Sequence, residues 1–157
     1  MSNPLIPLYA ANVPAPRTPP VGLHLGAAAR VVSRAFDDAL VEAGGSMPVW
    51  LVLLNLKMRS QVANQRELAG AVGIREATLT HHLNAMESDG LLTRRRDPDN
   101  RRVHLVELTE AGEEAFMSLR EAALAFDRRL RHGITPAELA GFEAILDRLA
   151  ANVTPAA

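Results

Sequence analysis

Five arginines, Arg94, Arg95, Arg96, Arg101 and Arg102, crowd into one short interval where only Asp97 and Asp99 oppose them. The formal net charge over 157 residues is −1, so the general field of the molecule does not draw a polyanion. Affinity for nucleic acid has to come from a local cluster of this kind, whose guanidinium groups stay charged and pair well with phosphates or a guanine edge. The other candidates for chemistry are scattered. The histidines His24, His81, His82, His104 and His132 include no pair at the i, i+4 spacing of a zinc helix, and adjacent His81 and His82 point about 100° apart on a helix. The chain has no cysteine, which removes disulfides, thiolate metal sites and a thiol nucleophile. A phosphate-cradling glycine loop, a G-x-S-x-G elbow and a dinucleotide fingerprint are all missing. We therefore expect a binding protein rather than an enzyme, with no catalytic residue, no cofactor and no metal ligand.

The elements that must position the arginines follow from composition and period. Hydrophobic residues make up 48% of the chain and charged residues 22%, enough apolar material for one substantial core. No apolar run is long enough to span a bilayer, and the N-terminus lacks the basic-then-apolar pattern of a secretory signal. A cytoplasmic location without a membrane partner is expected. Residues 1–20 hold six of the ten prolines and form a proline-rich arm. Residues 21–43 repeat Leu25, Ala28, Val32, Phe36 and Leu40 at helical steps and end at Gly44 and Gly45. Ser46 and Pro48 open a second, largely apolar helix reaching Met58.

Asn64 offers a cap to a short helix over 65–72, Gly73 turns the chain, and a second short helix over 76–89 turns Leu79, Leu83 and Met86 inward. That pair is a helix-turn-helix. Residues 91–108 change period, and Asp97-Pro98-Asp99-Asn100 between two alternating runs predicts a β-hairpin. Thr109 caps a long helix to about residue 132 with Phe116, Leu119, Ala123, Phe126 and Leu130 on one stripe, a face that wants a partner. Thr135, Pro136 and Glu138 form a capping box that opens the last helix, with Leu139, Phe142, Ile145, Leu146 and Leu149 at helical spacing. Residues 46–108 thus form one lobe, flanked by helical segments 21–45 and 109–153. The fold class expected is mainly α with one small β-hairpin.

The stretch QRELAGAVGIREATLTHHLNAMESDGLLTRRRDPDNRRVHLVELTEAG, within residues 46–112, resembles the MarR family of bacterial winged helix-turn-helix regulators, and the flanking helices extend the likeness along the chain. The resemblance implies a homodimer whose N- and C-terminal helices intertwine into a dimerisation domain. It also implies two winged lobes entering successive major grooves of a pseudopalindromic operator in double-stranded DNA. Repression is the expected outcome, since a bound dimer occludes a promoter.

On the second short helix Ala77, Thr78, Thr80, His81 and Asn84 lie off the Leu79–Leu83–Met86 stripe and are the expected groove contacts, with Arg75 just before them. The family usually has a basic residue, often arginine, where this chain has His81, and a small capping residue where it has Arg75. Arg101 matches the family's wing-tip arginine for the minor groove, with Arg102 and Arg96 next in line for phosphates or the adjacent groove, while Asp97 and Asp99 are read as structural. The resemblance further implies release from DNA by a small aromatic or phenolic ligand, and His24, Arg30, Met47, Trp50, Leu54 and Met58 are candidate walls of its cleft. Two rival readings are a metal-responsive winged-helix regulator using the histidines and a winged helix that docks proteins without reading DNA.

Overall fold

A computed structural model of the chain describes residues 20–58, 63–98 and 104–154. Six helices and three short strands follow in the order α1 (Val21–Glu42), α2 (Met47–Met58), β1 (Ala63–Asn64), α3 (Gln65–Val72), α4 (Glu76–Ser88), β2 (Leu92–Arg96), β3 (His104–Leu108), α5 (Glu110–Leu130) and α6 (Pro136–Val153). The helices fall where the apolar period and the caps put them. The hairpin holds an antiparallel register from Leu92 opposite Leu108 to Arg96 opposite His104. One element escaped the pattern: the two residues of β1 pair with β3 and make the sheet three-stranded, in the order β1-β3-β2. Two residues carry no readable alternation, so such a strand exists only through its partner.

The chain divides within α1 into residues 1–35 and 36–157. In the first unit residues 20–35 are helical beyond Pro20, and no side chain there is buried. The core lies in the second unit, where Leu53, Leu68, Leu79, Leu83, Met86, Leu92, Val106 and Leu119 are almost completely buried. Leu79, Leu83 and Met86 supply the whole buried face of α4, so the helix is held along one side and offers the other to solvent.

Three glycine-ended turns frame this lobe, and Gly73 shows what they require. At φ 75° it takes the left-handed conformation, so that Ile74 N–H reaches back to Ala69 O at 3.1 Å and closes α3 before α4 begins. The hairpin returns to α4 through Thr109, which caps α5. Its hydroxyl accepts from Gly112 N–H at 3.1 Å and donates to Gly90 O, while its own N–H donates to Leu91 O at 3.1 Å. Gly112 is fixed for a different reason: a Cβ there would sit 1.9 Å from Leu91 O. The Thr-x-x-Gly spacing is thus a seam joining the end of α4 to the start of α5.

The long-helix stripe departs from expectation at one end. Phe116, Leu119 and Phe126 are buried, and the Phe126 ring lies 5.0 Å from that of Phe36, but Leu130 is 44% exposed. The last helix keeps its capping box, with Thr135 Oγ1 accepting from Glu138 N–H and Glu138 Oε2 accepting from Thr135 N–H at 2.9 Å, yet α6 buries no residue at all. No single helix among the described residues is long and apolar enough to cross a membrane.

Candidate nucleic-acid interface

Helix α4 shows its outward strip where the period places it. Ala77, Thr78, His81 and Asn84 are exposed, and Arg75, in extended conformation at the N-cap, is exposed beside them and makes no side-chain capping bond. The rings of His81 and His82 meet edge to face at 5.8 Å, with His82 half-buried. Among the described residues no group of three His, Asp or Glu side chains could hold a metal ion.

Thr80 differs from its neighbours. It is half-buried, its hydroxyl donates to Glu76 O at 2.8 Å, and it accepts from Gln65 Nε2 at 2.6 Å. The hydroxyl is thus taken up in joining α3 to α4, unlike the outward side chains on either side of it. Counting faces by a 100° step placed Thr80 off the apolar stripe, but the flank of a helix that packs against another helix is not solvent. Gln65, the first residue of α3, was missed because a lone glutamine at a helix start has no pattern to announce it.

The arginine cluster proves to be sorted. Arg94 is only 18% exposed on its side chain and is bound by Glu87 and Asn84 of α4. Arg95 pairs across the hairpin with Glu107 at 2.8 Å, and its hydrogen bond, more than its charge, holds the Glu107 carboxyl below the usual carboxylate range. Arg96, the last residue of β2, is exposed and has no carboxylate partner among the described residues. Arg101 and Arg102 lie outside the described residues. Of the three described arginines of the cluster, the fold spends two on its own carboxylates.

The expected cleft residues do not share one role. Trp50 is 8% exposed and stacks on Phe116, with centroids 5.9 Å apart and planes 7° from parallel, so it packs in the core. Met47 and Leu54 are half-buried against the same core, whereas Met58 is 78% exposed at the end of α2. His24 and Arg30 are exposed on the first unit. A separate open groove of about 320 Å³ runs along α1 and α5, lined by Ala39, Glu42, Ala122, Ala125, Phe126 and Arg129. None of the expected wall residues lines it.

The arrangement is that of a winged helix, and comparisons with known proteins agree. A family model described as MarR family matches residues 46–104. The solved structure of transcriptional regulator PA3341 is 31% identical, covers 84% of this chain and 96% of its own, and superposes with a TM-score of 0.70. The chain belongs to the MarR family. Its relatives are transcriptional regulators, not enzymes. An uncharacterised HTH-type transcriptional regulator, YdgJ of Bacillus subtilis, is 31% identical over 103 residues, covering 66% of this chain; the match spans 63% of that relative's length. The repressor CouR, solved on a 23-mer DNA duplex, is 25% identical with a TM-score of 0.75 over 83% of this chain and 92% of its own. CouR of Rhodococcus jostii RHA1 has also been solved with p-coumaroyl-CoA.

Proposed function

We propose that this MarR-family protein is a homodimeric, sequence-specific DNA-binding regulator that represses transcription from a pseudopalindromic operator. One observation carries the reading: the face of α4 bearing Ala77, Thr78, His81 and Asn84 stands in solvent, its opposite face is locked in the core, and exposed Arg96, with no carboxylate partner among the described residues, lies at the end of the adjoining hairpin strand. A helix held this way can enter a major groove while an arginine-bearing ribbon reaches phosphates or the minor groove, with Arg101 and Arg102 as its further contacts. CouR's bound duplex supports the same use of the fold.

The dimer is supported by what the single chain leaves uncovered. Leu130, Ile134, Phe142, Ile145 and Val153 are between 44% and 81% exposed, and an 18-residue helix with nothing buried has little to hold it. A second copy would cover these side chains and set two lobes roughly 34–36 Å apart, one turn of duplex. We further propose that a small aromatic or phenolic ligand releases the dimer from DNA; CouR, which shares the fold, has been solved with p-coumaroyl-CoA. The deciding experiment is selection of bound fragments from genomic DNA by purified protein, followed by anisotropy titration on the recovered site. Recovery of an inverted repeat supports the proposal; material that enriches no duplex at low salt refutes it.

A further inference from the structure

Among the described residues the Arg94 clamp is unlike the other ion pairs because one carboxylate takes both the backbone and the side chain of its partner. Glu87 Oε1 accepts from Arg94 N–H at 3.1 Å, and Glu87 Oε2 accepts from Arg94 Nε at 3.0 Å and from Nη2. The same Nη2 donates to Asn84 Oδ1 at 2.7 Å. Arg94 sits on β2, whereas Asn84 and Glu87 sit one turn apart on α4, so a single guanidinium ties the hairpin to the helix whose outer face carries the groove contacts. Arginine has donors only, so the end of the Asn84 amide beside it is the oxygen, and Nδ2 is left as the end available to DNA.

We propose that Arg94 and Glu87 are positioning residues for DNA binding: they touch no nucleic acid, set the reach of the hairpin relative to α4, and turn Asn84 into a hydrogen-bond donor at the groove. The inference rests on the reading that helix and hairpin grip duplex together. Two properties of the pair favour positioning over contact. Arg94 is largely covered, and its fork is already engaged by fixed acceptors that a phosphate would have to displace. Glu87 carries the wrong charge to approach DNA, so a favourable effect on binding has to act through the groups it holds, and among the described residues Arg94 is the one it clamps.

That difference in sign makes the test sharp. Glu87→Gln keeps shape while removing a negative charge from the DNA-binding helix; long-range electrostatics alone would tighten binding, whereas loss of the clamp weakens it. Anisotropy titrations on the selected operator between 50 and 200 mM salt should show Glu87→Gln binding weakened roughly tenfold, as for one lost charge-assisted hydrogen bond. The slope of log K against log salt should become shallower, by up to about 0.9 for each phosphate contact that the loosened hairpin gives up. Arg94→Lys, which retains the charge but not the fork, should lose affinity similarly. Arg96→Ala should cost less in the Glu87→Gln background than in wild type, because a loosened hairpin no longer delivers Arg96.

Equal or tighter binding by Glu87→Gln, near-wild-type binding by Arg94→Lys, an unchanged salt slope in Glu87→Gln, or additive losses with Arg96→Ala would each overturn the proposal. If Glu87→Gln does not fold, judged by circular dichroism, Arg94→Lys alone decides. Wild-type protein that binds no duplex sinks the functional reading itself; wild type that binds while both variants match it sinks only the clamp.

Discussion

At the level of single residues, the chemistry of α4 depends on which polar atoms the protein has already used. Thr80 donates to Glu76 O and accepts from Gln65, so Thr80→Ala should cost about 1 kcal/mol in urea unfolding and leave the selected operator sequence unchanged. His81→Ala, by contrast, removes an exposed side chain from the outward strip and should alter the base preference recovered by selection. A shifted profile for the threonine variant, or an unshifted one for the histidine variant, would reverse these roles. The same sorting separates the arginines: Arg94 and Arg95 answer to Glu87 and Glu107, and Arg96 answers to none of the described carboxylates.

At the level of elements, the seam between α4 and α5 is the most constrained joint. A methyl on Gly112 would lie inside the Leu91 carbonyl, so Gly112→Ala must push the two helices apart and should cost about 3 kcal/mol, read as a lower urea midpoint. A midpoint equal to wild type would mean that α5 is not pressed on Leu91. The capping box of α6 gives a pH-dependent counterpart. The Thr135 backbone and hydroxyl hydrogen bonds lower the Glu138 carboxyl from its ordinary 4.5, so the ionised form is favoured in the capped helix. Its stabilisation is present above 4.5 and is lost as pH falls through the lowered value. Helicity of the C-terminal segment should therefore fall on acidification less steeply in Glu138→Gln, which has no such proton to gain.

At the level of the whole molecule, a chain of net charge −1 that binds DNA must do so through local charge, and its affinity should respond steeply to salt. A dimer making roughly 6–10 phosphate contacts would lose about 10³–10⁵ in affinity between 50 and 200 mM salt, whereas a protein-docking winged helix would not. Assembly is tested separately. The paired change Phe142→Asp with Ile145→Asp puts charge on the exposed face of α6 and should yield a folded monomer in sedimentation, with operator affinity strongly reduced. A dimer that survives it would place the interface elsewhere.

The order of helices, the helix-turn-helix, the hairpin, the capping box and the inward triad Leu79, Leu83 and Met86 were legible in the sequence, because period, caps and glycine turns are local and each repeats over one or two turns of chain. The tertiary structure alone decided the partners: that Thr80 faces Gln65, that Trp50 belongs to the core against Phe116, that Ala63 and Asn64 form a strand, and that Arg94 is a brace. Each of these depends on a residue seven or more positions away, brought near only by the fold. Local pattern says which face of an element turns inward, but hydrogen bonds and ion pairs are settled by what stands opposite.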